Sequence, residues 1–396
     1  MSGALDGIRV LDLSRHLAGP YCGMMLGDLG AEVIKIERPG TGDESRHWGP
    51  PFFDGESAYY LCCNRNKQSL TLNFKHERGR AIVRELAGRS DVLIENFRVG
   101  VLDKLGLGYA DLQAVNPRLV YCSISGFGHT GPDRDLGSYD FLIQGRSGLM
   151  SITGEAAGPP LKVGVAISDV TAGLFACNAI LAALIARGQT NAGQHLDIAL
   201  YDSQVACMAN IASNYLCSGE IPARWGNAHK SIVPYEAFQA ADAYLVLAIG
   251  NDEQWRQFCA AAGVAEWAKD PRFATNPARV ANRETLIPLL HDLIHRKTVA
   301  EWLNLCAGAD VPAGPVNTID KVFADPQALA RGMLVRMPHP ALGTVPLAGT
   351  PLNLSATPAQ MRLPPPLLGE HTDAILASLL GLDADTIAEL RRNGVV

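Results

Sequence analysis

The sequence predicts an α/β protein built on a doubly wound, Rossmann-like parallel sheet, and its N-terminal stretch carries much of that prediction. Residues 8–13 alternate apolar and polar side chains, residues 20–29 form a predicted helix opened by Pro20, and residues 31–37 form a second apolar strand. Two strands joined through a helix favour parallel pairing, because a parallel pair needs a crossover connection. The pattern recurs, with strands predicted at residues 69–72, 92–94, 119–123 and 195–200 and a helix at 77–86.

The length of 396 residues predicts two domains, since a single hydrophobic core seldom serves so long a chain. Gly, Pro, Trp, Asn and His dominate residues 220–231, which marks a boundary, and a clear strand follows at 243–249. Proline and glycine recur from 338 to 366, as expected for a long return connection, and helices are predicted at 372–380 and 384–391. The predicted division is a large domain from residues 1–220 and 327–396, with a small domain at 221–326.

Composition argues against several classes of function. Apolar residues make up 47% of the chain and charged residues 19%, and the net charge of −6 leaves no basic surface suited to nucleic acid. The N-terminus shows no leader or transit pattern, so a cytoplasmic protein with reduced thiols and no membrane partner is expected. The nine cysteines include no C-x-x-C pair and the ten histidines no H-E-x-x-H motif, so no metal site is expected.

The segment around Asp169 is predicted to deliver one carboxylate to the start of a helix. Residues 163–167 form a short apolar predicted strand, Ser168 and Asp169 both suit an N-cap, and a helical pattern follows from Val170. Residues 170–186 carry no charge, yet their Thr, Gly and Asn content favours a buried helix over a membrane span. Asp169 is either a simple helix cap or a functional carboxylate, and this segment alone leaves both interpretations open.

Arg38 lies where open α/β sheets bind ligands. It follows the strand predicted at 31–37, at the carboxyl edge of the sheet, and therefore suits a phosphate group. The first β-α turn lacks the G-x-G-x-x-G pattern, which argues against a nicotinamide or flavin cofactor. Glycines within residues 126–131 allow the backbone to approach a ligand closely.

Several motifs taken together resemble the class III CoA-transferases, the family of formyl-CoA, carnitine-CoA and dicarboxylate-CoA transferases. The motifs are residues 10–13 with 18–20, 29–39, Asn64 with 67–69, 95–97, and 364–372. The resemblance implies a large α/β domain built from both ends of the chain and a smaller α+β domain in the middle. It also implies a homodimer of two interlocked rings, which uses CoA and acyl-CoA as substrates and holds no permanent cofactor.

The same resemblance assigns roles to individual residues. Asp169 falls on the nucleophile of the family. Residues in contact with CoA are expected at His16, Leu17, Arg38, Leu72, Asn73, Asn96, Phe97, Arg98 and Lys104. Residues near the acyl group and the acceptor acid are expected at Arg15, Arg46, Tyr139, Asp140, Gly250 and Asn251.

Residues 46–51, 231–235, 311–316 and 364–371 most resemble the succinyl-CoA–glutarate branch of the family. Leu17 stands where formyl-CoA enzymes have a glutamine, and Gly250-Asn251 stands near their run of glycines, so formate and oxalate are disfavoured as acceptors. The expected reaction moves CoA from succinyl-CoA to glutarate, and itaconate, methylsuccinate and malate remain alternative acceptors. The acyl group's far carboxylate needs a polar partner, for which Arg46, or Arg15 with His16, is expected.

Two other activities remain as alternatives. Acyl-CoA racemases resemble this family but place a histidine where Tyr139 stands, and a single carboxylate cannot exchange an α-proton from both faces. A non-catalytic acyl-CoA-binding protein would keep the CoA contacts without needing Asp169. A carboxylate nucleophile suits transfer, since an aspartyl anhydride conserves the energy of the thioester, and N–H groups at a helix start would favour the ionised Asp169.

Overall fold

A six-stranded sheet organises the larger of two units in the computed structural model, which describes residues 3–396. The larger unit comprises the described residues up to Leu149, then Val163–Ser218 and Pro326–Val396. The smaller unit comprises Met150–Lys162 and Gly219–Asp325. The predicted boundaries at 220 and 326 differ from this division mainly at residues 150–162, which were placed in the large domain and instead group with the smaller unit.

The chain forms thirteen strands and eighteen α-helices between residues 3 and 396. In chain order the strands are β1 (Arg9–Asp12), β2 (Glu32–Glu37), β3 (Phe52–Phe53), β4 (Glu56–Ser57), β5 (Lys67–Thr71), β6 (Val92–Glu95), β7 (Val120–Ser125), β8 (His195–Ala199), β9 (Tyr235–Gln239), β10 (Tyr244–Ala248), β11 (Ala313–Pro315), β12 (Leu334–His339) and β13 (Gly343–Ala348). The helices are α1 (Ala18–Asp28), α2 (Ala58–Leu61), α3 (Glu77–Ala87), α4 (Val101–Lys104), α5 (Tyr109–Val115), α6 (Asp140–Arg146), α7 (Leu149–Ile152), α8 (Ile167–Thr190), α9 (Leu200–Cys207), α10 (Ala209–Ser218), α11 (Asp252–Ala261), α12 (Asn276–Ala281), α13 (Arg283–Ile294), α14 (Val299–Gly308), α15 (Ile319–Ala324), α16 (Pro326–Ala330), α17 (Thr372–Leu380) and α18 (Ala384–Arg392).

The main sheet is parallel throughout and has the order β5-β2-β1-β6-β7-β8. Counted along the chain, this is the 3-2-1-4-5-6 order of doubly wound nucleotide-binding folds. The predicted α/β class with a parallel sheet is confirmed.

Both faces of this sheet are buried, which explains the apolar residues of β2, β6 and β7. Successive residues of a strand point to opposite faces, so Val10 and Leu11 enter two different cores. The Val10 face packs against α1 and α8, and the Leu11 face packs against α3, α5, α17 and α18. The C-terminal helices therefore complete the same core as the N-terminal strands.

The smaller unit has an antiparallel sheet in the order β11-β10-β9. Its core includes two fully buried tryptophans, Trp255 on α11 and Trp302 on α14. A hairpin of β12 and β13 belongs to the larger unit and occupies part of the stretch predicted as a plain return connection.

The strand predicted at residues 163–167 is absent from the structure of residues 3–396, and α8 begins earlier than predicted, at Ile167. The Val163 N–H donates to the side-chain Oε1 of Gln144 at 2.9 Å, so a side chain replaces a neighbouring strand as its partner. Val165 is 59% exposed, which leaves no apolar contact to hold an extended segment. The strand predicted from the apolar pattern of residues 163–167 is therefore wrong.

α8 is buried along one side only. Between residues 3 and 396 it is the one helix long and apolar enough to cross a membrane, although a core helix of a soluble protein meets the same criterion. Ala172, Ala176 and Ile180 pack into the core beneath the sheet. Leu174, Phe175 and Ile185 are exposed within the described chain, so the predicted buried helix has an uncovered apolar face.

Candidate functional site

The candidate site lies where the strand order reverses, between β1 and β6. The carboxyl ends of such strands form the crevice in which open α/β sheets bind ligands. The loops leaving the two strands are tied together there: Arg15 N donates to Asn96 Oδ1 at 2.9 Å, and Asn96 Nδ2 donates to Arg15 O at 2.7 Å. Asn96 thus joins the two loops instead of merely ending its own strand.

A cavity of about 600 Å³ at this edge, the Asp169 cavity, contains many of the predicted site residues. Its lining includes His16, Leu17, Asn96, Phe97, Arg98, Tyr139, Asp140 and Asp169. These residues come from four separate parts of the sequence, and the fold brings them to one place.

Asp169 is the third residue of α8, in its first turn, and Ala166 is the N-cap. The N–H of Ser168 donates to Asp140 Oδ1 at 2.8 Å, and Asp140 Oδ2 accepts from Gln144 Nε2 at 2.7 Å. Asp140 therefore supplies the acceptor at the start of α8. This arrangement removes the reason to interpret Asp169 as a simple helix cap.

Burial raises the pKa of Asp169 to about 7, and the negative charge of Asp140 adds to the effect. The helix N-terminus acts in the opposite direction, because its N–H groups favour a carboxylate. A carboxylate that is poorly solvated is a better nucleophile than one in water, and perturbed pKa values cluster at functional sites.

Aromatic side chains form one wall of the Asp169 cavity. The His16 and Trp48 rings stack with centroids 4.9 Å apart, and Trp48 meets Tyr59 edge to face at 5.0 Å. The pKa of Tyr59 is raised by burial and next by the charge of Asp169. Tyr139 lies edge-on to His16 at 6.3 Å. Trp48 and Tyr59 were not predicted as site residues. Both follow β2 in the sequence and lie on either side of the prolines at 50–51, which is only a weak sequence signal.

Leu17 lies at the base of this wall. It is 9% exposed and belongs to an apolar cluster with Met24 and Cys63, against which Tyr59 and Val170 pack. The apolar Leu17 side chain thus helps to exclude water near the start of α8.

A second cavity of about 530 Å³, the Arg38 cavity, is lined by five of the predicted residues, four of which do not line the Asp169 cavity. They are Arg15, Arg38, Leu72, Asn73 and Phe97. Lys75 also lines it and adds a further positive charge that sequence reasoning did not select.

The two cavities meet at Phe97, which lines both. The guanidinium of Arg15 lies over the Phe97 ring, 4.8 Å from its centroid, and its Nη1 contacts Glu44 Oε1 at 2.7 Å. Arg38 is 62% exposed and its Nη2 is 4.0 Å from the same carboxylate. The Arg38 cavity, which three cationic side chains and the two carboxylates of Glu37 and Asp43 line, therefore adjoins the cavity that holds Asp169.

Arg46 does not occupy the position expected for a substrate-binding group. Its guanidinium is buried and pairs with Glu37 through two contacts of 2.8 Å, while Nη2 also reaches Tyr60 Oη at 2.6 Å and the Pro366 carbonyl oxygen at 3.1 Å. It lies over the Tyr60 ring and contacts Glu56 as well. These partners use its donors, so the expected role of Arg46 in substrate binding does not fit the structure.

Three other predicted residues lie away from both cavities or in the smaller unit. Lys104 is exposed at the end of α4, and in the chain from residue 3 to 396 it lines neither cavity. Gly250 and Asn251 belong to the smaller unit, where Asn251 caps α11 by accepting from Gln254 N at 2.9 Å. Their roles stay predictions.

One group of possible metal ligands lies beside the Asp169 cavity. Ligand atoms of His16, Asp43 and Glu44 come within 4.8 Å of one another. Two cations already neutralise the two carboxylates, since Asp43 pairs with Lys35 at 2.9 Å and Glu44 pairs with Arg15. This arrangement fits a network of ion pairs better than a metal site.

Comparisons with known proteins agree with this geometry. The sequence profile described as CoA-transferase family III matches residues 5–372. Succinyl-CoA:glutarate CoA-transferase of Homo sapiens is 45% identical over 392 residues, which cover 99% of this chain and 90% of that protein. Succinate–glutarate CoA-transferase of Agrobacterium fabrum is 47% identical over 381 residues, which cover 95% of each.

A solved structure shows the same fold. The crystal structure of a CAIB/BAIF family protein from Brucella suis is 48% identical, with a TM-score of 0.87, and the match covers 96% of this chain and 100% of that one. The resemblance drawn from the sequence motifs is confirmed by all three comparisons. This chain belongs to CoA-transferase family III.

Proposed function

We propose that this enzyme transfers CoA from succinyl-CoA to a free dicarboxylic acid, with glutarate as the leading acceptor, and that Asp169 is its nucleophile. The observation that carries the proposal is the placement of the poorly solvated Asp169 carboxylate in a cavity that adjoins the Arg38 cavity through Phe97. One cavity suits a reacting acyl group and the other suits the phosphates of CoA. The names of the human and Agrobacterium relatives support the choice of acids.

The transfer proceeds through Asp169 in four balanced steps. A carboxylate oxygen of Asp169 attacks the succinyl-CoA carbonyl carbon, the C–S bond breaks, and an anhydride and CoA thiolate result. The thiolate attacks the Asp169 carbonyl carbon of the anhydride, which releases succinate and leaves an aspartyl-CoA thioester. The carboxylate of the acceptor attacks this thioester and expels the thiolate. The thiolate then attacks the acceptor's acyl carbon in the new anhydride, which releases glutaryl-CoA and free Asp169.

Exclusion of water decides whether this route succeeds, because both anhydrides hydrolyse readily. The wall formed by Leu17, Trp48 and Tyr59 supplies apolar surface next to Asp169. The N–H groups of Ile167 and Ser168 at the start of α8 already donate to Val165 O and Asp140 Oδ1, each at 2.8 Å, so α8 contributes here through the positive end of its dipole, which favours negative charge at Asp169.

Binding of a dicarboxylate requires a partner for the far carboxylate. With Arg46 committed to Glu37, the arginines that line the Asp169 cavity are Arg98 and Arg134 in the described chain, and His16 lies on the same wall. A site built to pair with this carboxylate leaves its polar groups unpaired when an analogue lacks it. Valerate should therefore be a poorer acceptor than glutarate by a factor on the order of 10⁴.

The decisive experiment follows the covalent state of the enzyme. Intact mass after mixing with succinyl-CoA should show a CoA adduct on the wild type and none on Asp169→Asn, and hydroxylamine should inactivate only the wild type in the presence of succinyl-CoA. Glutaryl-CoA should form only when glutarate is supplied. An Asp169→Asn variant with full turnover, or equal rates with glutarate and valerate, would contradict the nucleophile or the acceptor assignment respectively.

We also propose that the enzyme is a homodimer. Exposed apolar side chains within the larger unit support this, among them Phe141, Leu142, Leu174, Phe175, Ile185, Tyr215 and Leu216. Exposed apolar patches of this kind mark protein contacts in soluble proteins. A second copy is the occupant that the family resemblance implies.

A further inference from the structure

The turn that joins β1 to α1 separates the two cavities and is held by fixed charges. Arg15 lines the Arg38 cavity, whereas His16, the next residue, lines the Asp169 cavity. Nucleotide-binding folds use glycines in this turn, yet here the turn is Ser14-Arg15-His16. Its conformation therefore depends on external partners.

Each described hydrogen bond to the backbone of this turn comes from a side chain, including the Cys63 thiol on the carbonyl of His16. Ser14 N donates to Asp12 Oδ1 at 3.0 Å, and Ser14 O accepts from Lys35 Nζ at 2.9 Å. Asn96 binds both the N–H and the carbonyl of Arg15. His16 N donates to Asp43 Oδ1 at 3.2 Å.

His16 needs this support because its backbone is in the left-handed region, with φ of 68°. Such a conformation is strained for a residue with a side chain, and it persists only when its surroundings enforce it. The Asp43 contact is the hydrogen bond that holds the His16 N–H.

Asp43 also fixes the backbone segment that leads to Trp48. Its Oδ1 accepts from Ser45 N at 2.9 Å and from Ser45 Oγ at 2.8 Å, which caps the short 3-10 helix Glu44–His47 that leads directly to Trp48. One carboxylate oxygen therefore fixes both partners of the stacked His16 and Trp48 rings.

The Asp43 carboxylate is in turn fixed by Lys35. Asp43 is 1% exposed, Lys35 is fully buried in the middle of β2, and their charged atoms lie 2.9 Å apart. Lys35 Nζ also binds the carbonyl of Ser14, so this ion pair holds the first residue of the turn through the lysine and the last residue through the aspartate. The lysine charge holds the pKa of Asp43 well below its usual range against the opposing effect of burial.

We propose that Asp43 and Lys35 act as a pair of positioning residues for CoA transfer. They fix the turn at residues 14–16 so that Arg15 is presented to the CoA side and His16, with Trp48, to the acyl side of the site. Neither residue reacts, and the proposal rests on the transfer at Asp169 proposed above. Misplacement of site groups by about an ångström can cost on the order of a hundredfold in rate.

The experiment removes both charges of the pair together and compares the kinetic loss with that of a variant in which only stability is lowered. A buried ion pair replaced by apolar residues of similar size is often neutral or stabilising. Lys35→Met with Asp43→Leu leaves no unpaired buried charge, but Ser14 O, His16 N and both donor groups of Ser45 lose a hydrogen-bond partner, so we expect a lowered thermal midpoint in a protein that still folds. We expect kcat/KM for succinyl-CoA and glutarate to fall on the order of tenfold to a hundredfold, with kcat lowered and KM for succinyl-CoA raised.

Asp28→Asn is the matched control. Asp28 is 2% exposed and pairs with Arg65 at 2.7 Å, yet neither residue lines the Asp169 or the Arg38 cavity. This variant should lower the thermal midpoint and leave kcat and KM within about twofold, because its loss is one of stability alone. If the double variant does not fold, the single variant Asp43→Asn, which keeps one acceptor oxygen, tests the proposal through its kcat and KM.

Wild-type kinetic constants in the folded Asp43 variants would overturn the proposal. So would an equal kinetic loss in Asp28→Asn, since the effect would then follow from any broken buried pair. Failure of the proposed function gives a different result: the wild type itself would form no glutaryl-CoA and no CoA adduct.

Discussion

At the scale of single residues, Asp169 should make the reaction depend on pH near neutrality. In the proposed mechanism the attacking form is the Asp169 carboxylate, and burial together with the charge of Asp140 raises the pKa of Asp169 to about 7. We expect kcat/KM for succinyl-CoA to fall about tenfold for each pH unit below the pKa and to level off above it. A profile measured from pH 5.5 to 8.5 tests this, and a flat profile across that range would contradict the raised pKa.

The same raised pKa should lower stability at high pH. The folded state binds the Asp169 proton more tightly than the unfolded state, so folding loses stability as the pH rises from about 4 through 7. Asp169→Asn carries no charge and avoids this loss. Urea unfolding should find the variant more stable than the wild type at pH 8, on the order of 2 kcal/mol, with a smaller gap at pH 5. A variant less stable at pH 8 would contradict this linkage.

Some site residues could be predicted from the sequence because they follow strands. Arg38 and Asn96 lie just beyond β2 and β6, and parallel strands end at one edge of the sheet. Arg46 was misassigned because its partners are set by tertiary structure, including a carbonyl oxygen 320 residues away at Pro366. Trp48 follows a short 3-10 helix and Tyr59 lies within the four-residue α2, and neither segment has a sequence period, so no local pattern identified them.

At the scale of elements, the start of α8 depends on α6. Asp140, the first residue of α6, accepts from the N–H of Ser168 and places a negative charge near Asp169. No pattern within residues 160–170 reveals this partner, which explains why the helix start was predicted too late and a strand was predicted before it. The six main strands, whose apolar runs are local, were predicted to within a few residues.

This contact between α6 and α8 gives a prediction for Asp140→Asn. Asparagine keeps an oxygen that accepts from Ser168 N, whereas the negative charge disappears, so the pKa of Asp169 should fall. The acid limb of the kcat/KM profile should move to lower pH.

Asp133→Asn is the control for that shift. Asp133 pairs with Arg146 at 2.7 Å and does not line the Asp169 cavity as described between residues 3 and 396. The acid limb of the kcat/KM profile of Asp133→Asn should stay at the wild-type pH. Equal shifts of the acid limb in both variants would indicate a general effect of net charge. An unshifted acid limb in Asp140→Asn would contradict the effect of Asp140 on the pKa of Asp169.

At the scale of the whole molecule, the proposed homodimer should make stability depend on association through the exposed apolar side chains of the larger unit. Ile185 on α8 is 70% exposed and Leu216 on α10 is 79% exposed, and such side chains gain on the order of 1.5–3 kcal/mol each when buried. Val115 on α5 is a matched comparison, since it is 49% exposed and belongs to a helix on the other face of the sheet.

If two copies bury this surface and unfold together, the thermal midpoint must rise with protein concentration. We expect scans over a hundredfold range of concentration to show this rise, and light scattering to give twice the monomer mass of 42.3 kDa. Ile185→Glu with Leu216→Glu should lower the midpoint, because charges would enter the interface, whereas Val115→Glu should change it little. A midpoint independent of concentration, together with a monomer mass, would show that the exposed face of α8 serves some purpose other than dimerisation.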